Sequence, residues 1–353
     1  MAANKIALAT MVRMLRLFCA HIFVALLFLG GYAGASAATM RFDHIAIIML
    51  ENHSDLSIVG NPNAPRITQL ALSNGYAAAF YGVTHPSLPN YIALTSGNNW
   101  YSNSDLSTQR FSNRNLVDQL EGSGISWKAY MQSLPSAGYT GDFYPADEQH
   151  ALYVIRHDPF MLYSDVLSSP QRRARVVPFS EFPTDARSGN LPHFIWISPD
   201  VCHDMHGMSG PPCPYSDDPQ LRRTGDQFVS DAVTMLLRSP TWTGRSVIFI
   251  MLDETDYNGD KRYGGWLNAR GCCDTPVVPK GFPSYPQGGA YGGGLIPFIV
   301  ISGVGKKHFV SNIAYNHYSV LRTIESAWRL GFLGMAADSN NVRSLDEFFV
   351  TRP

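Results

Sequence analysis

Four short, nearly continuous apolar runs constrain the fold of this chain more than any other feature of its sequence. They cover Phe42–Leu50, His193–Ser198, Ser246–Leu252 and Ile296–Ser302. A strand that is buried on both faces needs such a run, because neither row of its side chains meets water. Strands of this kind occur mostly in parallel sheets that are covered by helices. The runs therefore predict a central, mostly parallel sheet.

Amphipathic segments supply the expected helices. Short helices are predicted over Arg66–Asn74 and Asn115–Gly122, a long one over Leu221–Arg238, and one near the C-terminus over Tyr318–Leu330. Alternation of such strands and helices indicates an α/β fold. Two loop-rich regions, near 130–192 and 268–294, interrupt the pattern, and loops of this length usually shape or cover a site. Because no linker-like boundary is present, we expect residues 38–353 to form a single domain with insertions at these two regions.

The first 37 residues have the features of a secretory signal peptide. Three basic residues precede an apolar run over 17–29, and Ala35-Ser36-Ala37 offers an A-x-A cleavage site. An uncleaved membrane anchor is the alternative, but the apolar run is short for one. Cys19 precedes most of that run, which disfavours a lipoprotein site. We therefore expect a secreted or periplasmic protein with no stable membrane anchor after cleavage.

Charge excludes two classes of partner. Of the 353 residues, 45% are hydrophobic and 16% are charged, which is typical of a globular protein. Loss of residues 1–37 removes three of 27 basic residues and no acidic one, leaving 24 against 28 and a net charge near −4. The chain has no block of Lys and Arg. We therefore expect neither nucleic-acid binding nor attraction to anionic membranes.

Four cysteines remain after the predicted cleavage: Cys202, Cys213, Cys272 and Cys273. An even number in an exported chain fits two disulfides. The bridge could join Cys202 to Cys213, or it could link that loop to Cys272 or Cys273. Zinc ligation is a competing interpretation, although the spacing lacks a paired C-x-x-C and an oxidising compartment disfavours it.

Polar side chains follow three of the apolar runs where the predicted strands end. Glu51-Asn52 follows the first run, Asp253-Glu254 follows the third, and the histidine-containing segment 199–206 follows the second. Ligands of open parallel sheets bind at the carboxyl ends of strands. Carboxylate and amide oxygens suit a hard divalent cation, so Glu51, Asn52, Asp253 and Glu254 are the predicted metal ligands. Each pair, taken alone, could equally serve a turn or a helix cap.

The segment Thr84–Tyr91, with the sequence THPSLPNY, places Ser87 at the start of a predicted helix. The free N–H groups of a helix N-terminus favour a bound phosphate. Ser87 could simply cap the helix. With a metal nearby, however, its hydroxyl would be activated as a nucleophile that forms a phosphoserine. Asn90 lies one helical turn further on and could donate a hydrogen bond to a phosphate oxygen.

Three histidines are candidates for binding the phosphate or protonating the leaving group: His157, His203 and His206. Each has an ordinary alternative. His203 and His206 could be exposed or form a zinc pair at i, i+3 spacing, and His157 could be a loop histidine. His85 and His317 are open to the same doubt.

Taken in order, these segments resemble the bacterial phosphoesterase family, which contains secreted acid phosphatases and phosphatidylcholine-type phospholipases C and is related to the alkaline phosphatase superfamily. The resemblance spans roughly residues 42–330 and includes Tyr315-Asn316-His317-Tyr318-Ser319. It implies an alkaline-phosphatase-like α/β/α sandwich with a mostly parallel central sheet. The family's residues then fall on these positions: its metal pairs on Glu51, Asn52, Asp253 and Glu254, its nucleophile on Ser87 before Asn90, and its phosphate-flanking histidines on His206, His203 and His157.

Departures from the phospholipase pattern favour the acid-phosphatase branch. That pattern has Pro-Asn-Arg after the nucleophile and Asp-Glu-His-Gly-Gly later, whereas this chain has Pro89-Asn90-Tyr91 and Asp253-Glu254-Thr255. The chain is also shorter than members of the phospholipase branch.

The expected function is a secreted, metal-dependent phosphomonoesterase that acts through a phosphoserine. Its substrate would be a small phosphate monoester or a phospholipid headgroup, with phosphoinositides included. A phosphodiesterase or phospholipase C is the alternative at the same site, and a non-catalytic secreted protein that binds phosphate ligands is the alternative of another class. The metal could be calcium, magnesium, manganese, zinc or iron, and the sequence leaves the oligomeric state open.

Overall fold

The structure of this protein is a computed structural model that describes residues 40–145, 147–255, 270–275 and 292–350. The predicted signal peptide at 1–37 lies outside the described residues, and so does most of the predicted insertion at 268–294. Met40–Pro353 forms one compact unit. Among the described residues, no helix combines the length and the apolar character that crossing a membrane requires.

Twelve strands are found in the described part of the chain. They are β1 Ile45–Leu50, β2 Gly75–Ala77, β3 Phe80–Tyr81, β4 Trp127–Met131, β5 Phe143–Tyr144, β6 Tyr153–Val154, β7 Val176–Pro178, β8 Phe194–Ser198, β9 Val247–Leu252, β10 Phe298–Ser302, β11 Phe309–Ser311 and β12 Tyr315–Asn316. Eight of them form the central sheet in the order β11-β2-β10-β9-β1-β8-β4-β7. The strands β3 with β12 and β5 with β6 form two small two-stranded sheets.

The central sheet is mostly parallel, as predicted. β1 lies in its middle and pairs in parallel with β8 on one side and β9 on the other. β10 pairs antiparallel with both β9 and β2, so it runs against the other strands of this sheet. The four apolar runs contain β1, β8, β9 and β10, and every residue of these strands is buried. Burial on both faces explains why these runs lack the alternation of a half-exposed strand.

Nine α-helices surround the sheets in the described residues. They are α1 Asp55–Ile58, α2 Pro65–Ser73, α3 Ser87–Ser96, α4 Leu116–Gly122, α5 Ser164–Ser168, α6 Pro170–Arg173, α7 Phe182–Ser188, α8 Asp218–Arg238 and α9 His317–Trp328. Short 3₁₀ segments lie at Ile155–His157, Phe160–Leu162, Phe179–Glu181, Tyr215–Asp217, Gly334–Ala337 and Asp346–Phe348. α8 packs against α2 and α7, and α3 packs against α9. The four predicted helices all form, with ends shifted by three residues or fewer.

Local signals account for the helix ends. Asn115 and Asn316 cap α4 and α9, each accepting a hydrogen bond from a backbone N–H of the first turn. Pro65 occupies the first position of α2, where its missing N–H costs no hydrogen bond. Gly97 ends α3 in the left-handed conformation with φ at +75°.

The loop-rich region near 130–192 contains more regular structure than its sequence suggested. It includes β5, β6 and β7 and the helices α5 to α7, and β7 forms one edge of the central sheet. These elements are two to seven residues long, which is too short for a periodic pattern to be recognised.

Two disulfides are present in the described residues. Cys202 bonds to Cys213, which is the first of the predicted alternatives. Cys272 bonds to its direct neighbour Cys273, so the alternative cross-link between the two loops does not form.

Candidate active site

Three strand ends meet at one edge of the sheet. Because β9, β1 and β8 are parallel neighbours, the segments that follow them leave from the same side. The backbone N–H of Glu51 donates to the carbonyl of Asp204 at 2.8 Å, and that of Asn52 donates to Asp253 Oδ1 at 3.1 Å. Asn52 has a φ of +53°, a left-handed conformation that asparagine tolerates better than most residues. These bonds fix Glu51 between the other two strand ends.

The turn before Ser87 is held by the side chain of Asn90. Its Oδ1 accepts from the backbone N–H groups of Val83 and Thr84 at 2.8 and 3.0 Å. Its Nδ2 donates to the carbonyls of Thr84 and Pro86 at 2.8 and 3.1 Å. Both amide hydrogens are therefore used within the turn. Asn90 therefore positions the turn that carries Ser87, and its donation to phosphate stays a prediction.

A close backbone approach fixes the same turn from the other side. A Cβ atom at Gly293 would lie 2.5 Å from the carbonyl oxygen of Thr84 and 3.2 Å from the Cβ of Glu254. Thr255 N–H donates to the carbonyl of Gly293 at 2.7 Å. Only a residue without a side chain fits between the turn and Glu254, which gives Gly293, in the predicted loop-rich region near 268–294, a packing role.

Ser87 is the first residue of α3, and its hydroxyl makes no capping bond to the helix. The hydroxyl donates to Glu51 Oε2 at 2.9 Å and lies 3.3 Å from Glu254 Oε1 in hydrogen-bonding geometry. Burial and repulsion from Glu254 raise the pKa of Asp253, and hydrogen bonding with Ser87 offsets part of this rise. Ser87 is thus directed at three of the four predicted metal-binding residues, and the simpler expectation of an N-cap does not hold.

Each of these three carboxylates has one oxygen engaged by another group. Glu51 Oε1 accepts a hydrogen bond from the Tyr91 hydroxyl. Glu254 Oε2 pairs with His85 Nδ1. Asp253 Oδ1 accepts from a backbone N–H, while its buried Oδ2 has no hydrogen-bond partner among the described residues. The second oxygen of each glutamate is the one that contacts Ser87.

Burial and mutual repulsion make this group of acids electrostatically costly. Burial raises the pKa of Glu51 well above its ordinary value, and repulsion from Asp253 and Asp204 raises it further. Burial and repulsion from Glu254 raise the pKa of Asp253 in the same way. Burial also raises the pKa values of Asp204 and Glu254, which His85 partly offsets at Glu254. Four buried acids that oppose one another's ionisation call for a cation.

His157 and His206 lie beside this group. His157 Nε2 is 3.2 Å from Glu51 Oε1, and its Nδ1 is 2.9 Å from Asp204 Oδ2. One nitrogen of each histidine and one oxygen of Glu51 lie within 4.8 Å of one another, close enough to share a metal ion. His206 Nδ1 donates to the carbonyl of Gly207 at 2.8 Å, which leaves Nε2 with the lone pair when the ring is neutral.

Both histidines are held in their neutral form by their surroundings. Burial lowers the pKa of His157 well below its ordinary value, and repulsion from Arg156 and His206 adds to this. Burial and Arg156 lower the pKa of His206 to about 4. A neutral imidazole can ligate a metal, and a nearby phosphate dianion would favour protonation.

His203 is placed differently from the other two predicted histidines. Its Nδ1 contacts Asp200 Oδ1 at 2.6 Å, and its side chain is 38% exposed. Asp200 is in turn bound by the hydroxyl of Ser133 at 2.6 Å. The residue spacing in the segment after β8 does not distinguish the role of His203 from that of His206. The structure assigns His206 and Asp204 to the Ser87 side and His203 to the Asp200 turn, so the predicted phosphate-binding role of His203 lacks a geometric basis.

Several residues near the site did not stand out in the sequence. Asp204, Tyr91 and His85 contact the predicted metal-binding residues directly. Arg156 is buried, bonds Glu148 at 2.9 Å and acts electrostatically on both site histidines. Tyr91 could have been found from helical spacing, because it lies four residues after Ser87 and so shares its helix face. The others are brought in by tertiary contacts alone.

The residues present fit a divalent cation. Oxygen ligands dominate the site, the carboxylates oppose one another, and Asp253 Oδ2 is buried without a partner. Glu51, Asp253 and Glu254 are the residues that would hold the ion next to Ser87. For Asn52, the structure shows the backbone contact with Asp253, and ligation by its side chain stays a prediction.

The sequence model of the Phosphoesterase family matches residues 62–331. The chain belongs to the phosphoesterase family. The match includes Ser87, the histidines and Asp253-Glu254, and it begins shortly after Glu51-Asn52.

Curated relatives of this phosphoesterase come from fungi and from a mycobacterium. A probable acid phosphatase of Kluyveromyces lactis is 27% identical over 85% of this chain and 62% of its own length. An acid phosphatase of Aspergillus fumigatus is 34% identical over 72% of this chain and 48% of its own. A phosphatidylinositol-3-phosphatase of Mycobacterium tuberculosis is 31% identical over 50% of this chain and 55% of its own. The chain therefore spans about half to three fifths of the length of these relatives.

Solved structures share the fold. A protein of the alkaline phosphatase superfamily from Vibrio parahaemolyticus matches with a TM-score of 0.51 at 11% identity, covering 84% of this chain and 68% of that one. A phosphonate monoester hydrolase from Silicibacter pomeroyi matches with a TM-score of 0.51 at 12% identity, covering 87% and 76%. The predicted alkaline-phosphatase-like α/β/α architecture is thereby confirmed.

Proposed function

We propose that this phosphoesterase is a metal-dependent phosphomonoesterase with Ser87 as its nucleophile. The single observation that carries the proposal is the position of the Ser87 hydroxyl between Glu51 Oε2 and Glu254 Oε1. A buried serine that contacts two acids at a helix N-terminus is poorly explained by packing. The acid phosphatase names of the relatives support the substrate class.

The reaction divides into two displacements at phosphorus. In the first, Ser87 Oγ forms a bond to phosphorus, the ester P–O bond breaks, and the departing alcohol gains the equivalent of the proton that Ser87 loses. In the second, water attacks the phosphoserine, which releases inorganic phosphate and restores the Ser87 hydroxyl. The divalent cation, when bound, lowers the pKa of the serine hydroxyl and neutralises charge on the phosphoryl oxygens.

The protein's own residues orient these groups. Asn90 fixes the backbone of the turn, so Ser87 Oγ has a defined position before substrate arrives. In the first turn of α3, Pro86 and Pro89 have no N–H, and Leu88 N–H donates to Asp105 at 2.9 Å. This leaves the backbone N–H of Ser87 as the donor for a phosphoryl oxygen. His157 and His206 flank Glu51 and are the groups we assign to phosphate contact or proton transfer.

Removal of the nucleophile is the decisive test. Ser87→Ala should lower the turnover of p-nitrophenyl phosphate by roughly 10³-fold or more, because the covalent step is lost. Mass spectrometry of the acid-quenched wild-type enzyme should find phosphate on the peptide that contains Ser87, and the variant should lack it.

Ser96→Ala is the matched control. Ser96 is also buried on α3, but its hydroxyl donates to the carbonyl of Ile92 at 2.8 Å within the helix. This variant should retain turnover. Near-normal activity of a folded Ser87→Ala protein would overturn the assignment. Absence of activity in the wild type would instead favour a phosphate-binding protein.

Phosphoinositides are part of the proposed substrate range, because one relative is named a phosphatidylinositol-3-phosphatase. A panel should compare p-nitrophenyl phosphate, bis-p-nitrophenyl phosphate, phosphatidylinositol 3-phosphate and phosphatidylcholine. We expect hydrolysis of the monoesters and slow or no hydrolysis of the diesters. Preference for phosphatidylcholine would replace this proposal by a phospholipase C.

We also propose that the protein is exported. Disulfides at Cys202–Cys213 and Cys272–Cys273 support an oxidising compartment. N-terminal sequencing of protein recovered from the periplasm or the medium should begin at Ala38. Recovery only from the cytoplasm with residues 1–37 retained would contradict export.

A further inference from the structure

The three acids around Ser87 share an arrangement that the proposed function does not require. Each carboxylate has one oxygen engaged by a neighbouring group. A carboxylate can bind a cation through one oxygen or through both. Engagement of one oxygen on every acid would limit each of them to a single bond with the metal.

Tyr91 is the residue that imposes this limit on Glu51. Its hydroxyl donates to Glu51 Oε1, while Ser87 contacts Oε2 of the same carboxylate. His157 Nε2 also lies 3.2 Å from Oε1, but a neutral ring that donates from Nδ1 to Asp204 has no proton on Nε2 to share. A phenol hydroxyl keeps its proton at neutral pH, so Tyr91 is the hydrogen-bond donor in this contact.

The position of the Tyr91 ring is fixed by its neighbours. The side chain is 1% exposed and lies on α3, one helical turn after Ser87. Its ring stacks on that of His157 with a centroid distance of 5.8 Å and an interplanar angle of 3°. The ring also contacts Trp196 at a centroid distance of 6.0 Å. A ring enclosed in this way cannot move its hydroxyl away from Glu51 without disturbing the core.

The number of oxygens that each carboxylate offers affects which cation fits. Calcium takes six to eight oxygens and often binds both oxygens of a carboxylate, whereas magnesium requires six ligands in near-octahedral geometry. A site whose acids each contribute one oxygen suits the smaller ion.

We propose that Tyr91 is a positioning residue that restricts Glu51 to one ligand oxygen and thereby makes the site discriminate against calcium relative to magnesium. The inference rests on the proposed metal site, and it adds a cause for metal selectivity that lies in a side chain outside the ligand set. Tyr91 acts through Glu51, the carboxylate that its hydroxyl and the Ser87 hydroxyl share.

Tyr91→Phe tests this inference, because it removes the hydroxyl and keeps the ring. The full-length protein, stripped of metal with a chelator and dialysed, would be titrated with calcium and magnesium by calorimetry. The ratio of the two dissociation constants should shift toward calcium by about tenfold, since Glu51 Oε1 becomes available as a second ligand oxygen. Tyr91→Met, which removes the hydroxyl in another way, should shift the ratio in the same direction.

Tyr163→Phe is the matched control. The Tyr163 hydroxyl is also buried against α3, where it bonds Thr95 Oγ1 at 2.7 Å. This variant should keep the wild-type ratio within about twofold. An unchanged ratio in folded Tyr91→Phe, with metal binding intact and Ser87→Ala inactive, would overturn the role of Tyr91 alone. A wild-type protein that binds neither cation would overturn the metal-dependent mechanism and this inference together.

Discussion

Among the buried acids of the described residues, those at two places in the fold are neutralised in different ways. At the Ser87 edge of the sheet, Glu51, Asp204, Asp253 and Glu254 lie together. On α9, Glu325 is a buried acid whose charged neighbours are basic, namely Arg322 and Arg114. Both regions lose the hydration of a carboxylate, so the difference lies in what replaces it.

Glu325 is suited to holding a proton. Burial raises its pKa to about 8. Its Oε1 accepts from the backbone N–H of Leu333 at 2.8 Å, while its Oε2 and the nearby Gln119 Oε1 are both buried without a partner among the described residues. A proton on Glu325 supplies the donor that this pair of oxygens lacks. One proton therefore satisfies the region at neutral pH.

One proton is not enough at the Ser87 edge, because four acids lie there together. Neighbouring hydrogen-bond donors already engage one oxygen of each metal-binding carboxylate, and the other oxygens still carry negative charge. A divalent cation can bind the remaining oxygens together and balance two charges at once. The comparison teaches that burial alone favours protonation of an acid, whereas burial of several acids around a hydroxyl favours a metal. Three predictions test the distinction.

Metal removal should have the largest effect, and the effect should be confined to the Ser87 edge. Chelation followed by dialysis should lower phosphatase turnover by roughly 10³-fold, because charge stabilisation at phosphorus is lost. Re-addition of a divalent cation should restore it. Hydrogen exchange should increase in peptides that contain Glu51 and Asp253 and stay unchanged in the peptide that contains Glu325. Equal increases in hydrogen exchange in both regions would contradict the proposed difference between them.

Asp253→Asn should separate the repulsion among the acids at the Ser87 edge from the stabilisation that a bound cation gives. The amide retains an oxygen for the Asn52 N–H and removes one negative charge, so the chelated variant should be more stable than the chelated wild type by about 1–2 kcal/mol. Saturating cation should stabilise the wild type by about 2.7 kcal/mol at a hundredfold excess over Kd, and the variant much less. Urea unfolding with and without cation measures both quantities.

The exposed Asp231, which pairs with Gln227 on α8, provides the control as Asp231→Asn. It should leave both the unfolding free energy and the cation response nearly unchanged. A chelated Asp253→Asn protein that is less stable than the chelated wild type would mean that repulsion among these acids does not govern the site.

Glu325→Gln should leave phosphatase turnover unchanged and should act on stability through pH. The pKa of Glu325 is raised to about 8 in the folded protein, so between its ordinary value and about 8 the folded state holds a proton that the unfolded state has lost. Wild-type stability should fall as pH rises through this window, because unfolding releases that proton. The loss attributable to Glu325 between pH 5.0 and 8.5 should be on the order of 4 kcal/mol, about three pH units at about 1.36 kcal/mol each. Urea unfolding at both pH values should find a flatter pH dependence in Glu325→Gln, and identical slopes would contradict a protonated Glu325.

The sequence predicted those strands and helices whose residue pattern lies entirely within one segment. Apolar runs identified β1, β8, β9 and β10, since a strand buried on both faces excludes polar residues over its full length. Amphipathic spacing identified α2, α4, α8 and α9 to within three residues. Elements of two to seven residues in the region 130–192 were missed because they are shorter than any recognisable period.

Roles that depend on where a side chain points were predicted less well. Asn90 is predicted to contact phosphate, and the structure adds that its amide also holds the backbone of the turn. His203 and His206 were equivalent in the sequence, and the turn after β8 sends one to Asp200 and the other toward Glu51. Helical spacing placed Asn90 on the correct face of α3 without showing what that face meets.

The sequence by itself determined the α/β class, the sheet strands with polar ends, and the segments that carry Ser87, Glu51 and Asp253-Glu254. These follow from local composition, which burial and helix geometry constrain residue by residue. Only the tertiary structure decided that Tyr91, His85 and Asp204 complete the site, because their partners lie 40 or more residues away in the chain. Contacts over such distances depend on which strands become neighbours and on which oxygen of each carboxylate has no other contact. Neither can be predicted from one segment of the sequence, because both depend on residues far apart in the chain.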